Sequence, residues 1–237
     1  MTYIFHIHRQ ERPRSRAYWQ DFSYDGQPGD SVAQALMAIN EDSPLQDRNG
    51  QDTAPIRWQR SCLVRKCGAC AMVINGVPSL ACSTFLSALS GPVITLEPLS
   101  LFPVVADLIV DRSFLYDRLK DWQIWLDQPA AASPWTWKNR YESARCLLCG
   151  CCLEVCHNAS PQSLFAGAAA AVQAYRILSQ ETGDSPHGRQ LRQAYRHQYF
   201  EHCGQSMACQ EVCPARLAVT DLLACANSLV LWKHSRW

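Results

Sequence analysis

The residues with chemistry to offer are thirteen cysteines in a chain of 237 residues, and most fall into three spaced sets. In SCLVRKCGACAMVINGVPSLAC, Cys62, Cys67, Cys70 and Cys82 have the spacing C-x4-C-x2-C-x11-C. In CLLCGCCLEVCH, Cys146, Cys149, Cys152 and Cys156 have the spacing C-x2-C-x2-C-x3-C. The stretch CGQSMACQEVCP almost repeats the second set through Cys203, Cys209 and Cys213, but Ser206 stands in one slot. Thiolates at such spacings are soft ligands for iron or zinc. C-x4-C-x2-C with a distant fourth cysteine is the plant-type pattern for a two-iron, two-sulfide cluster, and C-x2-C-x2-C-x3-C is the bacterial ferredoxin run. Structural zinc is the rival, but it usually pairs two short hooks, and the first set has a lone fourth partner.

In the bacterial run the fourth cysteine ligates the other cluster. That crossing rule gives one centre Cys146, Cys149, Cys152 and Cys213, four thiolates suited to a four-iron cluster. The other centre receives Cys156, Cys203 and Cys209, with Ser206 at the remaining corner. A serine hydroxyl loses its proton far less readily than a thiol and is a poor soft-metal ligand. The expectation is a three-iron, four-sulfide cluster, with an alkoxide-ligated four-iron cluster as the alternative. Differences in cluster type spread reduction potentials, so one chain can carry centres of different potential. Cys151 lies off the ligand spacing and reads as a packing residue. Cys225, on an apolar helix, reads as a buried free thiol. His157, His197, His202 and His234 share no ligand-like spacing. Gly68 sits where the loop needs unusual dihedrals, and amides of that loop can aim at the cluster's negative charge. Arg65 and Lys66 read as solvated loop residues rather than charge partners.

Hydrophobic residues make up 48% and charged residues 18%, which supports a packed core. A net charge of +1 gives no electrostatic case for nucleic acid. MTYIFHIHRQERPRSR does not read as a signal peptide, so metal binding is expected over disulfides. No window approaches the roughly 18 apolar residues of a membrane span. Leu164–Leu178 is interrupted by Gln173 and Arg176 and reads as a buried helix, so membrane contact would come through a partner. Motifs for dinucleotides, the P-loop, H-E-x-x-H and G-x-S-x-G are absent. The chain holds metal-centre residues and no catalytic ones, which implies an electron conduit between partners.

These centres need two kinds of scaffold. TYIFHIHR alternates as a strand, AYWQDFSYD is its hairpin mate, Asn75-Gly76 marks a second hairpin, and GPVITLEPL offers a closing strand. SVAQALMAINE places Val32, Ala35, Leu36 and Ile39 on one helical face, capped by Asp30 or Ser31. From Val105 to Trp122 apolar residues repeat near the helical period, with a slip at Arg112–Ser113. DQPAAASPW reads as an irregular connection. Ser160-Pro161 and Ser185-Pro186 each predict a helix start, and a last helix is expected from Thr220, burying Leu222, Leu223, Ala226, Leu229 and Val230. The plan is α+β, with domains at 1–102 and 103–237 joined through EPLSLFPV.

The order of the three cysteine sets resembles the iron–sulfur subunit of succinate dehydrogenase and fumarate reductase over nearly the whole chain. SCLVRKCGACAMVINGVPSLAC is similar to that family's first-cluster signature, and EPLSLFPVVADLIVDRSFLYDRLKDWQIWL to its inter-domain segment. CGCC and LFAGAAAAVQAYRIL resemble the menaquinol-linked fumarate reductases. The resemblance implies an N-terminal β-grasp plant-type ferredoxin domain and a C-terminal helical bacterial-ferredoxin-like domain. It implies [2Fe-2S], [4Fe-4S] and [3Fe-4S] clusters on the ligands assigned above, relaying electrons between the FAD of a flavoprotein subunit and a quinone. A membrane-embedded subunit, with haem b in many relatives, would hold the chain peripherally on the cytoplasmic side of the inner membrane. Many ubiquinone-type relatives carry proline, tryptophan and histidine where this chain has His157, Ser160 with Pro161, and Gly204. A different quinone site is therefore implied, and His157 beside Cys156 reads first as a cap or surface histidine. A relay subunit of a soluble, thiol-linked fumarate reductase is the second reading, and a structural zinc module the third.

Overall fold

Strict alternation in the first strand decides the first core. In this computed structural model, which describes residues 1–131, 136–181 and 185–232, β1 (Thr2–Arg9) turns Tyr3, Phe5, Ile7 and Arg9 inward. Its antiparallel mate β2 (Tyr18–Asp25) sets Phe22 opposite Phe5. β3 (Ala71–Ile74) and β4 (Val77–Leu80) form the Asn75-Gly76 hairpin, with both turn residues at the positive φ this turn needs. β5 (Val93–Glu97) runs parallel to β1 and antiparallel to β3, giving the sheet order β2-β1-β5-β3-β4. Helix α1 (Val32–Ile39) buries Val32, Ala35, Leu36 and Ile39. Ser31, not Asp30, is its cap, in a reciprocal capping box with Gln34.

The chain divides into two compact units, Met1–Asp111 and Arg112–Trp237, so the division falls after Asp111 rather than after residue 102. The stretch read as helical from Val105 begins instead as β6 (Val104–Ala106) and β7 (Ile109–Val110). Asp107 is the cause. It takes a left-handed conformation at φ 47° and is 1% exposed. Its carboxylate accepts from the amides of Gln10 (2.9 Å) and Arg57 (3.0 Å) and faces the Arg9 guanidinium at 3.2 Å. These bonds tie the β6–β7 turn into the first unit, and the helical period applies only from α2 (Ser113–Asp121) onward.

The second unit is helical: α2, α3 (Trp137–Ala144), α4 (Cys151–Glu154), α5 (Gly167–Leu178), α6 (Pro186–Gln198), α7 (Ala208–Glu211) and α8 (Val219–Leu231). Part of the irregular connection, residues 132–135, lies outside the described residues. Every residue of α5 but Arg176 is buried, so the interrupted apolar run is a core helix. Around it pack Trp122, Leu191, Tyr195, Leu222 and Ala226. Ser185-Pro186 starts α6 as expected, with Ser185 Oγ accepting from the Gly188 amide at 2.8 Å. Ser160-Pro161 starts no helix. Its serine instead closes a turn, accepting from the Ser163 amide at 3.0 Å, and α5 begins only at Gly167. Gly167 holds φ +76° with its α-carbon facing Leu153, where any added side chain would be strained and would have to displace the leucine. The last helix opens one residue before Thr220 and buries Leu222, Leu223 and Ala226, while Leu229 and Val230 are half-buried. Among the described residues no helix is long and apolar enough to cross a membrane.

Candidate metal centres

In the first unit the cysteine loop between Trp58 and β3 wraps so that its amides face sulfur. Leu63, Arg65 and Gly68 all have positive φ, at 53°, 55° and 75°. Alternating such residues with ordinary ones turns successive N–H groups inward, the geometry of an anion nest. Val64 and Lys66 amides donate to Cys62 Sγ at 3.4 and 3.2 Å. Arg65 donates from its amide to Cys82 Sγ at 3.3 Å, and Ala69 to Cys67 Sγ at 3.4 Å. The Lys66 side chain stands exposed. The amides of Val64 and Lys66 pull the Cys62 thiol down to about 7. Burial pushes Cys70, at the foot of β3, up to about 12. Cys82 follows β4 in a short 3-10 turn, Ala81–Ser83, and the Ala81 amide returns to the Cys70 carbonyl at 3.0 Å. The β3–β4 hairpin is what carries the distant fourth cysteine back beside the loop.

In the second unit two cysteine groups assemble, and each mixes the two runs. Cys146, Cys149, Cys152 and Cys213 line one cavity, walled by Ala168, Ala169 and Val172 of α5 and by Leu217 and Val219. Cys156, Cys203, Cys209 and Ser206 line another, closed by Phe165, Ala168 and Tyr199. Cys152 touches both cavities. The pseudo-repeat explains the exchange. Short helices α4 and α7 each begin after a left-handed residue, Gly150 at φ 92° and Met207 at φ 60°, and each carries its last cysteine away from its own run. Burial pushes the Cys146 thiol up to about 11, and burial together with the neighbouring thiols raises Cys152 well above the ordinary range. Burial also raises Cys209 and Cys213. A cavity that raises thiols this way disfavours lone thiolates and suits ones that share positive iron. All thirteen cysteines are free thiols.

Three residues near these groups were not read as partners from sequence. Cys151 is fully buried, as a packing residue should be, yet it also helps draw the neighbouring Cys149 thiol down to about 7. Arg112 adds a favourable charge to Cys149. Tyr199 is 2% exposed and lines the same cavity as Cys203. The CGCC run signalled the first contact; nothing in the local pattern signalled the other two. Cys225 is half-buried on α8 and accepts from Asn139 Nδ2 at 3.4 Å. His157 is exposed beside Cys156. A separate polar group joins His187, Glu181 and Asp127. His187 Nε2 donates to the Gln123 carbonyl at 2.8 Å and Nδ1 lies 2.6 Å from Glu181 Oε1, so a buried ion pair accounts for it.

Residues 4–117 match the family described as 2Fe-2S iron-sulfur cluster binding domain, and residues 142–217 match the 4Fe-4S dicluster domain. With the amide-lined loop and the two mixed cysteine groups, this makes the chain a two-domain iron–sulfur protein. It is 34% identical to the succinate dehydrogenase iron-sulfur subunit of Bacillus subtilis over 95% of this chain and 91% of that one. It is 26% identical to the fumarate reductase iron-sulfur subunit of Wolinella succinogenes over 89% and 88%. Its fold matches a chain of the Mycobacterium smegmatis Sdh1 complex in the apo form with a TM-score of 0.80 and 23% identity, over 99% and 98% of the two. The chain belongs to the family of iron–sulfur subunits of succinate dehydrogenase and fumarate reductase, which favours electron relay over a structural zinc module.

Proposed function

We propose that this chain relays electrons between the FAD of a flavoprotein partner and a quinone of the menaquinone type, in a quinol:fumarate reductase or succinate dehydrogenase complex. Cys62, Cys67, Cys70 and Cys82 would hold a [2Fe-2S] cluster. Cys146, Cys149, Cys152 and Cys213 would hold a [4Fe-4S] cluster, and Cys156, Cys203 and Cys209 a [3Fe-4S] cluster. The chemistry these groups supply when bound is one-electron transfer at separated potentials. The observation that carries the reading is the exchange of Cys156 and Cys213 between the two runs, each lining the other run's cavity.

The chain's own residues set the conditions. Amides of Val64, Arg65, Lys66 and Ala69 donate to three of the four sulfurs of the first set and offset negative charge there. Ala168, Ala169 and Val172 of α5 give the first cavity of the second unit an apolar wall. Ser206 presents a hard oxygen where a fourth thiolate would complete the other group. The partners are a flavoprotein and a membrane-embedded subunit carrying haem b, with this chain peripheral on the cytoplasmic side of the inner membrane; family membership supports this. The test is purification of the native complex, with partners identified and metal content and electron paramagnetic resonance recorded. Three distinct cluster signals and roughly nine irons per chain are expected, with quinol-dependent fumarate reduction. Two signals or fewer would overturn the ligand sets, and a detergent-free complex with thiol-dependent activity would favour the soluble relay.

A further inference from the structure

The inward positions of α8 recur at Val219, Leu222, Leu223 and Ala226, all packed in the core of the second unit. The same period reaches Leu229 and Val230, but these are only half-buried, and beyond them Leu231 is 37% and Trp232 68% exposed. The helix outruns the core it packs on. Leu229, Val230, Leu231 and Trp232 are consecutive apolar residues, and with about 3.6 residues per turn they take up every side of the final turn. A surface helix in water keeps a polar outer face, whereas this turn offers apolar side chains all round. Residues 233–237, outside the described part of the chain, read Lys-His-Ser-Arg-Trp, and no acidic side chain occurs in the sequence after Asp221.

We propose that the last turn of α8, with residues 233–237, docks directly on the anionic headgroup layer of a lipid bilayer. Tryptophan has an apolar body and a polar N–H and collects at headgroup level, while Lys and Arg place cations among anionic lipids. Trp232, Lys233, Arg236 and Trp237 supply both kinds within one short stretch. A protein groove instead takes a single helical stripe of anchors and leaves the other sides of the turn in water. A bilayer interface surrounds the turn and matches its positive charge. Leu223, Ala224 and Asn227 of α8 line a cavity with Cys203, and Asn227 to Trp232 is about 7.5 Å along the helix. Docking there holds the Cys203 end of the second unit at the membrane, the side from which a quinone is reached. The contact rests on the peripheral placement proposed above and adds lipid to the protein partner as its means.

The test uses the full cluster-loaded chain, checked by its cluster absorbance, and co-sedimentation with vesicles of phosphatidylcholine mixed with phosphatidylglycerol or of phosphatidylcholine alone. The chain should bind the mixed vesicles more tightly, with a blue shift of tryptophan emission, and high salt should weaken binding. Lys233→Gln and Arg236→Gln should each weaken it roughly fivefold at low salt, the loss of one cation at an anionic surface, and change little at high salt. Trp232→Ser should weaken it at both. Trp137→Ser on α3, whose indole is 62% exposed, should leave it unchanged. A second measurement uses the native complex reconstituted in brominated phosphatidylglycerol, where quenching of tryptophan emission should fall in Trp232→Phe/Trp237→Phe. No vesicle binding by the unsubstituted chain, or equal loss in Trp137→Ser, overturns the lipid contact. Unchanged quenching in the double variant overturns it too and seats the turn on a protein partner. Neither readout needs quinone or flavoprotein, so the electron relay stands if the lipid contact fails.

Discussion

Asp107→Ala should cost the first unit more than any surface change, because it strands a buried cation. Asp107 is 1% and Arg9 2% exposed, with 3.2 Å between Arg9 Nε and Asp107 Oδ1. Removing one partner of a buried ion pair costs about 3–5 kcal/mol. The variant also leaves the Gln10 and Arg57 amides without their acceptors. Arg9 keeps its bonds to Gln20 Oε1 (2.7 Å) and the Ala54 carbonyl (2.9 Å), which places the loss toward the lower end. The unit spans Met1–Asp111. At about 2.1 cal/mol/K per residue its unfolding entropy is roughly 0.23 kcal/mol/K, so 3 kcal/mol corresponds to a midpoint lower by about 13 °C. The measurement is thermal unfolding followed by circular dichroism and by loss of cluster absorbance, at equal cluster loading and scan rate. Arg9→Met/Asp107→Ala removes the stranded charge and should recover part of the loss, giving a coupling of about 1 kcal/mol or more. A drop of only a few degrees, or strict additivity in the double variant, would show that the carboxylate does not hold the β6–β7 turn in place.

Three further outcomes follow from the second unit. Ser206→Cys supplies the missing thiolate in the cavity of Cys156, Cys203 and Cys209, so iron should rise from roughly nine to ten per chain with loss of the oxidised three-iron signal; an unchanged signal counts against that ligand set. Cys151→Ala should retain iron, because Cys151 is fully buried and lines neither cavity, whereas Cys152→Ala should lose iron; equal loss in both would make Cys151 a ligand. Burial by itself would lower the His187 pKa, but hydrogen bonds to Glu181 and the Gln123 carbonyl and the charges of Glu181 and Asp127 outweigh it, and the pKa is raised. A raised pKa contributes stability fully present below the unfolded value, near 6.5, and lost as pH rises through the folded one. The second unit should melt at lower temperature at pH 8.5 than at pH 6, and His187→Gln should flatten that difference. A steep pH dependence surviving in the variant would remove His187 as its source.

Period and spacing carried most of this protein's organisation. Alternation in TYIFHIHR and the Asn75-Gly76 turn were enough to place β1, β3 and β4, because a half-buried strand and a two-residue hairpin are local objects. The three cysteine sets were legible for the same reason, since ligand spacing is written along the chain. Local signals failed where a distant group decided. The period from Val105 to Trp122 did not show that Asp107 would be drawn to Gln10, Arg57 and Arg9 and bend the chain into β6 and β7. Ser160-Pro161 had the chemistry of a helix start, but α5 waits for Gly167, which lets the backbone pass close to Leu153. Spacing along the chain marked the residues able to meet metal and the one slot that offers oxygen instead of sulfur. What stands against them is set by packing: Ala168, Ala169 and Val172 wall one cavity, and Phe165 and Tyr199 close the other. The walls around such a cysteine group are chosen by packing around α5 and α6, and packing depends on the whole chain rather than on any window of it.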